Sequence, residues 1–227
     1  MQTITNGNCP TGRVRAVDAR DNRSYWVQQL ADGKCWMLTN LAYAGGGTNT
    51  YSDTKAVTLG SVETFSTAHY FIPTGSNVTT EPTAPSTATN GAGQYGYLYN
   101  WCAAMGGQAT SGCAEATTPT PNSATSICPA GWRLPTNTEH QALNTAINSG
   151  QTNTDQGLRM TWLAQRSGRW SNSHTGSGFS EQGTTGQYWT STQNSAQYAW
   201  RLALSSSSVS RDGYWKNEAL AVRCVAN

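Results

Sequence analysis

The sequence predicts an α+β fold in which small antiparallel sheets, one or two helices and long irregular loops are held together by disulfide bonds. Three observations support this fold class: alternating segments lie towards both ends of the chain, a helix signal lies between them, and six cysteines are widely spread. Only 11% of the residues are charged, whereas there are 23 Gly, 9 Trp and 10 Tyr. Low charge with many aromatic residues is typical of a fold rich in strands and loops.

Residues 13–40 have the pattern of a β meander. Residues 13–19 alternate in polarity, residues 25–30 have an extended pattern, and Asp32 and Gly33 follow. Asp-Gly is a strong hairpin signal because both residues tolerate the backbone conformations of a tight turn. We therefore expect three antiparallel strands, the third over residues 35–38.

The middle of the chain is predicted to be a long loop insertion, at about residues 44–93, with room for a short strand or two. It is rich in Gly, Thr, Ser, Pro and Asn, with few apolar residues. It contains one N-x-T triplet at Asn77, a pattern that is common by chance. Beyond it, three tyrosines alternate over residues 95–99 as in a strand, and a short helix is predicted over residues 100–105.

The clearest local signal is a capping box formed by Thr136 and Glu139. It predicts a helix over residues 137–149, and Gly150 is well placed to end that helix. His140 falls on the apolar face of the helix. Because a single His lacks partner ligands, we expect it to be a packed, hydrogen-bonded residue and not a metal ligand.

The last part of the chain returns to strand patterns after a second short helix that we predict over residues 154–164. Apolar side chains recur at every second position from Tyr198 to Leu204, as in a strand with one buried face. Four strands are predicted, over residues 188–192, 198–204, 209–211 and 219–225.

The six cysteines occupy positions 9, 35, 102, 113, 128 and 224. None forms a C-x-x-C pair, and an even number at wide spacing favours disulfide bonds in an oxidising compartment. Six cysteines allow fifteen pairings. We expect the pairs Cys9–Cys35, Cys102–Cys113 and Cys128–Cys224, and the alternative is six buried thiols in a reduced protein.

Charge and hydropathy exclude two classes of partner. The formal net charge is +2 and the basic residues are scattered, so no nucleic-acid partner is expected. No apolar run approaches the ~20 residues of a membrane helix, so no membrane contact by this segment is expected. The N-terminus has no signal peptide. We therefore expect a segment of a longer, exported protein that works outside the cell or at its surface, with its signal or anchor elsewhere.

The sequence has none of the patterns that would favour an enzyme. A nucleophile elbow, a P-loop, a dinucleotide fingerprint and an EF-hand loop are all missing. His69, His140 and His174 lack the spacing of metal ligands, and no pair of carboxylates favours glycoside chemistry. We therefore predict a non-enzymatic protein with no catalytic residue, metal site or cofactor. A structural calcium ion is left open, although no motif indicates one.

Aromatic and small polar residues are mixed in two stretches, residues 193–198 and 205–217, which join predicted strands. Antibody paratopes use Tyr, Trp, Ser, Asn and Arg, because rigid rings supply contact area and small polar groups supply hydrogen bonds. The serines at 205–208 provide no apolar frame that could bury Tyr214 and Trp215. The sequence thus favours a displayed binding surface, and the alternative is that both rings fold back into the core.

Several segments together resemble a known family. They are DGKCWMLTNL, YGYLYNW, CPAGWRLPTNTEHQAL, YWTST and the closing VRCV. In this order they resemble the Fibrobacter succinogenes major paralogous domain family, whose members are secreted or surface proteins. The resemblance implies a C-type-lectin-like fold, with residues 1–227 as a single domain that carries the insertion. It also implies that the N- and C-terminal strands lie close together, and it supports the Cys128–Cys224 bond.

Formylglycine-generating enzymes and the variable proteins of diversity-generating retroelements carry similar R-L-P-T segments. The likeness to variable proteins implies that residues near the C-terminus are displayed and diversified on a fixed scaffold. The scaffold would comprise Trp189, Ser191, Trp200, Leu202, Val209, Val222 and Arg223. The displayed set would comprise Gln193, Asn194, Ser195, Gln197, Tyr198, Arg201, Ser205, Ser207, Ser210, Arg211, Asp212, Tyr214, Trp215 and Asn217.

Two departures from related proteins limit the function. Calcium-dependent lectins use E-P-N and W-N-D segments, whereas this chain has E-P-T at Glu81 and W-K-N at Trp215. Formylglycine-generating enzymes need a reactive cysteine pair, and Cys224 has no companion nearby. We therefore predict an extracellular recognition domain that presents a variable C-terminal surface to a protein or glycan ligand at a cell surface. The alternatives are a structural or adhesin module of a surface appendage, and an enzyme related to the formylglycine-generating enzymes.

Overall fold

A computed structural model describes residues 4–44, 58–59, 65, 67–73, 95–106, 126–171 and 178–227, and this part of the chain has an α+β fold. The first seven strands are β1 (Val14–Val17), β2 (Ser24–Gln29), β3 (Cys35–Met37), β4 (Thr58–Leu59), β5 (His69–Phe71), β6 (Leu98–Asn100) and β7 (Trp132–Arg133). The other seven are β8 (Arg169–Ser171), β9 (Gly178–Ser180), β10 (Gly186–Gln193), β11 (Tyr198–Ser205), β12 (Ser208–Trp215), β13 (Ala219–Ala221) and β14 (Val225–Ala226). The helices are α1 (Trp101–Ala104), α2 (Asn137–Asn148) and α3 (Gln156–Thr161).

The first sheet has the strand order β1-β2-β3-β14-β7 and contains the predicted meander. Gly33 has a φ of +79°, as the predicted hairpin requires. The Asp32 carboxylate also accepts a hydrogen bond from the Trp36 indole N–H at 2.9 Å. The two ends of the chain meet at this sheet, because β14 pairs with β3 and the Asn6 N–H donates to the Asn227 carbonyl. The turn signal thus predicted the local structure correctly.

The second sheet has the order β12-β11-β10-β13-β6-β5-β4, and β8 joins it by pairing with β13 and β9. Strands β10, β11 and β12 form an antiparallel meander at one edge. Strands β4 and β5 lie within the predicted insertion, so that region contributes strands as well as loops. The rest of it lies mostly outside the described residues, including the Asn77 triplet and Glu81, and so does His174.

Helix α2 begins where the capping box predicts and ends at Asn148, one residue earlier than predicted, because Ser149 already has a left-handed conformation with a φ of +54°. The Thr136 hydroxyl accepts from the Glu139 N–H at 3.2 Å, and the Glu139 carboxylate accepts from the Thr136 N–H at 2.9 Å. Although burial opposes it, hydrogen bonds from Arg133 and from the Thr136 backbone lower the pKa of Glu139 to about 2. At the other end, Gly150 has a φ of +67°. Helix α3 is shorter than the predicted segment over residues 154–164.

The prediction of one strand over residues 219–225 is wrong, because two strands of different sheets occupy that segment. Strand β13 lies in the second sheet and β14 in the first. Between them, the Val222 carbonyl accepts from the Leu41 N–H and the Cys224 carbonyl accepts from the Met37 N–H, both at 2.9 Å. Every side chain from 219 to 226 is buried, so apolar patterning carries no sign of where the chain changes sheets.

Arg223 lies at this crossing, 1% exposed, and joins three segments of the chain. It donates to the Asn40 side-chain oxygen at 2.7 Å, to the Trp162 carbonyl at 2.5 Å and to the Leu163 carbonyl at 2.7 Å. Its guanidinium carbon also lies 4.7 Å from the Trp162 ring centroid. Burial lowers the pKa of Arg223 to about 10, so the side chain stays charged at neutral pH.

His140 is completely buried, with its ring stacked on Trp36 at 5.8 Å and edge-on to Trp162 at 5.7 Å. The prediction that it is packed is confirmed. The prediction that it is hydrogen-bonded is wrong, because neither ring nitrogen has a hydrogen-bond partner within the described residues. The aromatic walls around it offer surface to pack against and no acceptor. Burial lowers the pKa of His140 to about 3; Glu139 opposes this shift, and the charges of Arg211 and Arg223 add to it.

Disulfide bonds join Cys9 to Cys35 and Cys128 to Cys224, which are two of the pairs expected from the sequence. Cys102 is also disulfide-bonded, and its expected partner Cys113 lies outside the described residues. Such bonds are typical of proteins in oxidising compartments. None of the helices in the described ranges has the length and hydrophobicity that a bilayer-spanning segment needs.

Candidate functional site

Most of the serine-rich stretch over residues 205–217 is a strand and not a loop. Strand β12 pairs with β11 residue by residue, from Ser205 opposite Ser208 to Tyr198 opposite Trp215. Only residues 206 and 207 form the turn between the two strands. Ser, Asp and Gly have weak strand preferences, so pairing with β11 decides the conformation here. The prediction of strand only over residues 209–211 was therefore too short.

The strand register divides the displayed set between two faces of the sheet. We call the side that carries Leu202, Leu204 and Val209 the helix face, because these residues pack with Leu143 of α2 in one core cluster. We call the other side the opposite face. The helix face carries Tyr198, Arg211 and Trp215, and the opposite face carries Arg201, Ser205, Ser210, Asp212 and Tyr214.

The other members of the displayed set lie beyond the strand interiors. Asn194, Ser195 and Gln197 lie in the turn between β10 and β11, next to Gln193 at the end of β10, and Asn217 follows β12. Ser207 lies in the turn at the other end of β11. Because β11 has eight residues, roughly 25 Å separates the two turns. The fourteen residues therefore do not form one continuous contact surface.

On the opposite face, Arg201 is held by its neighbours and is not free for a ligand. It donates to the Asp212 carboxylate at 2.8 Å and to the side-chain oxygen of Gln187. Its guanidinium carbon lies 3.4 Å from the centroid of the Tyr214 ring. These contacts give three members of the displayed set a structural role.

Tyr214 is likewise anchored, by residues that sequence reasoning did not single out. Arg169 of β8 donates a hydrogen bond to the Tyr214 hydroxyl and forms an ion pair with Glu181 at 3.2 Å. Burial and the nearby Glu218 raise the pKa of the Tyr214 hydroxyl. Arg169 and Tyr214 are 45 residues apart, and no local pattern in the sequence links them. The alternative in which this ring folds back towards the core thus describes Tyr214 better than free display.

Trp215 remains displayed, together with Tyr198. The Trp215 side chain is 39% exposed, and its ring centroid lies 4.4 Å from that of Tyr198 and 6.4 Å from that of Phe65. Trp200 lies next along β11 on the same face and is half-buried. We call Tyr198, Trp200 and Trp215 the aromatic end of the helix face. Trp200, which the resemblance assigned to the scaffold, therefore lies directly beside displayed residues.

The side-chain amide of Asn194 lies over Gly213, next to the aromatic end. Gly213 lies between Arg211 and Trp215 on the helix face, and a Cβ atom at Gly213 would lie 2.9 Å from the Asn194 side-chain amide. The Asn194 amide therefore covers the backbone next to Trp215. On the other side of Gly213, Arg211 donates to the Asn137 side-chain oxygen at 3.1 Å, which links β12 to the start of α2.

Lys216 fixes the frame under the aromatic end. It is 1% exposed, and its ammonium donates to the Ala196 carbonyl at 2.7 Å while lying 4.6 Å from the Trp101 ring centroid. Its backbone N–H donates to the Gln197 carbonyl, and its carbonyl accepts from the Trp101 N–H, both at 3.0 Å. Lys216 thereby joins the β10–β11 turn, the end of β12 and the start of α1. In the sequence, Lys216 is only the middle residue of a W-K-N segment, and no local pattern there shows that this lysine is buried.

No cofactor or metal site is evident in the described part of the chain. Within those ranges, no three His, Cys, Asp or Glu side chains are grouped so that they could hold a metal ion. Cys224 is engaged in a disulfide bond with Cys128. The predictions that the protein is not an enzyme and needs no cofactor remain predictions.

The fold and this surface define a disulfide-bonded α+β protein with a rigid, partly exposed aromatic cluster at one end of its larger sheet. The chain belongs to the Fibrobacter succinogenes major domain family, whose sequence model matches residues 31–226. This confirms the resemblance seen in the sequence. No curated protein and no solved structure matches the chain.

Proposed function

We propose that this protein is an extracellular ligand-recognition domain with a C-type-lectin-like fold, and that its contact surface is the aromatic end. The observation that carries the proposal is the exposed Trp215 ring, whose centroid lies 4.4 Å from that of the Tyr198 ring, with the two rings tilted by 39°. An exposed Trp leaves a large apolar surface in water, and Trp and Tyr are the side chains that most often dominate binding energy. The proposed surface is therefore smaller than the displayed set.

Rigidity of the frame supports recognition. A binding surface gains affinity when its side chains are held in the bound geometry before the ligand arrives. Lys216, the Trp101 ring and the Gln197 carbonyl lock the two chain segments that carry Tyr198 and Trp215. The aromatic end therefore needs little ordering when a ligand binds.

The C-type-lectin-like assignment has support in the path of the chain. Both chain ends meet in the first sheet, and the Cys128–Cys224 bond ties the segment before α2 to the residue that immediately precedes the last strand. Extracellular location is supported by the disulfide bonds. These features agree with what the family resemblance implied.

The retroelement-diversified version of the proposal is supported by alternation along β12. Ser208 and Ser210 are exposed, whereas Val209 between them is buried, as on a fixed strand with variable outer positions. Sequences of sibling genes test this version. Identical residues at 205, 207 and 210 in all siblings would contradict diversification and would leave ligand recognition standing.

Binding assays with matched variants test the recognition proposal. The labelled protein is applied to an array of neutral oligosaccharides, acidic oligosaccharides and purified extracellular proteins. Trp215→Ala and Tyr198→Ala are expected to weaken the binding that the wild type shows, Trp215→Ala by about 30-fold. The control is Val17→Ala, which trims a side chain that is 48% exposed on the other sheet. Wild-type binding by both aromatic variants, with circular dichroism unchanged, would refute the proposal.

A further inference from the structure

We propose that the ligand of the aromatic end is a neutral glycan, bound by ring stacking and amide hydrogen bonds without a bridging cation. This inference rests on the proposed function and names its ligand class. Its main support is the chemistry of the side chains at this end of the sheet.

The surface at this end carries no accessible charge within residues 193–198 and 213–217. Their side chains are amides, hydroxyls, alanine and aromatic rings, except for Lys216. Lys216 is 1% exposed, and its ammonium is directed to the Ala196 carbonyl. An ionic ligand would lose hydration here without gaining an opposite charge, whereas a neutral polar ligand has no such charge to compensate. The nearest charge on this face, Arg211 beyond Gly213, is half-buried and already donates to the Asn137 side-chain oxygen. The charge distribution therefore favours an uncharged ligand.

The shape of the aromatic end suits a sugar ring. One side of a pyranose is a flat set of C–H groups, and its edge is a ring of hydroxyls. The exposed indole of Trp215 offers a flat apolar surface for the C–H groups, and the Tyr198 ring lies against it, tilted by 39°. Phe65, edge-on at 6.4 Å, restricts rotation of the indole further. A ring fixed in this way loses little conformational entropy on binding.

Hydrogen-bonding groups lie where the hydroxyls of a stacked sugar would reach. The Asn194 amide covers Gly213 on the same face as Trp215, one position along the strand on that face. An amide offers both donors and acceptors, which matches hydroxyls that also do both. Gln197 in the adjoining turn is exposed and adds a second amide.

A protein ligand is less well matched to this surface. A standard protein interface covers about 800 Å² on each partner and involves 20–30 residues. The aromatic end has three aromatic side chains and the amides beside them, and next to it Arg211 is already bonded to Asn137. A small neutral ligand fits this area better than a protein surface does.

The test is isothermal titration calorimetry with soluble hexasaccharides of α-glucan, β-glucan, mannan, xylan and chitin, run beside the array of purified extracellular proteins described above. An oligogalacturonate of the same length serves as the acidic comparison. At least one neutral hexasaccharide is expected to bind, equally well in calcium and in EDTA. Trp215→Ala is expected to weaken binding by about 30-fold or more, whereas Trp215→Tyr, which keeps a ring, loses less. Met160→Ala is the control, because it trims a side chain that is 46% exposed elsewhere on the surface.

The outcomes separate this inference from the proposed function. Binding of a neutral hexasaccharide that depends on Trp215 and persists in EDTA supports the inference. Trp215-dependent binding confined to proteins or to acidic oligosaccharides overturns the glycan inference and leaves the recognition proposal standing. Neutral-sugar binding that is abolished by EDTA also overturns the inference. Absence of any Trp215-dependent binding overturns both.

Discussion

Protonation of His140 should destabilise the folded protein over a defined range of pH. The folded state holds the pKa of this buried ring at about 3, against an ordinary value of 6.5. Between these two values the unfolded chain binds a proton that the folded chain excludes. The contribution of His140 to stability is therefore complete above pH 6.5 and is lost progressively as the pH falls towards 3.

The magnitude follows from the size of this shift. Each pH unit below 6.5 costs about 1.4 kcal/mol of unfolding free energy for one such group. Two units, from pH 6.5 to 4.5, thus correspond to about 3 kcal/mol. Glu139, with its pKa lowered to about 2, works in the same direction but only below about pH 4.5. The range from 4.5 to 6.5 therefore separates the effect of His140 from that of Glu139. Burial raises the pKa of Asp21 and Asp32, and their contributions cancel when wild type is compared with a His140 variant.

Urea unfolding followed by circular dichroism at pH 4.5, 5.5, 6.5 and 7.5 measures this effect. His140→Phe keeps an aromatic ring between Trp36 and Trp162 but cannot bind a proton. Between pH 7.5 and pH 4.5, the unfolding free energy of the wild type should fall by about 3 kcal/mol more than that of the variant. Gln141→Ala, at an exposed position on the same helix, serves as the control and should keep the wild-type pH dependence. An unchanged pH dependence in His140→Phe would refute the reasoning.

Three further changes have expected effects on stability, each measured by urea unfolding at neutral pH. Thr136→Ala removes the N-cap of α2 and should cost about 1 kcal/mol, whereas the exposed Thr138→Ala should change little; equal effects would contradict the capping role. Arg223→Met removes the guanidinium donors to three buried oxygens, of which the Leu163 carbonyl keeps another donor, Gln165, and should cost about 3–5 kcal/mol. Wild-type stability in that variant would show that the buried guanidinium is not needed. Replacing both Cys128 and Cys224 by Ala removes a disulfide bond between residues 96 positions apart and should lower the unfolding free energy by about 4 kcal/mol. A double variant as stable as the wild type would contradict this.

Local signals in the sequence predicted much of the fold. The capping box placed the start of α2, and Asp32–Gly33 placed the hairpin between β2 and β3. Each of these signals works through hydrogen bonds or backbone angles within a few residues, so it keeps its meaning whatever the rest of the chain does. The family segments likewise identified the family correctly, since their order along the chain is specific.

The candidate site was predictable only in part. Composition singled out Tyr198 and Trp215, which the structure brings together, with Trp215 exposed and Tyr198 partly buried. It also singled out Arg201, Asp212 and Tyr214, which the structure ties into contacts on the opposite face. The same residue types suit a displayed surface and a packed polar network, so composition alone does not distinguish them.

By itself, the sequence determined the fold class, the first meander, the capped helix and the family. The tertiary structure alone decided that the serine-rich stretch is an edge strand, that its alternate side chains point to opposite faces, and that residues 219–225 change sheets. It also decided that Lys216 and Arg223 lie buried as connectors between distant segments. The reason is range: a cap or a turn is set by neighbours in the chain. Strand pairing, and the burial of a charge against oxygens some 60 residues away, depend on contacts that form only when the whole chain is folded.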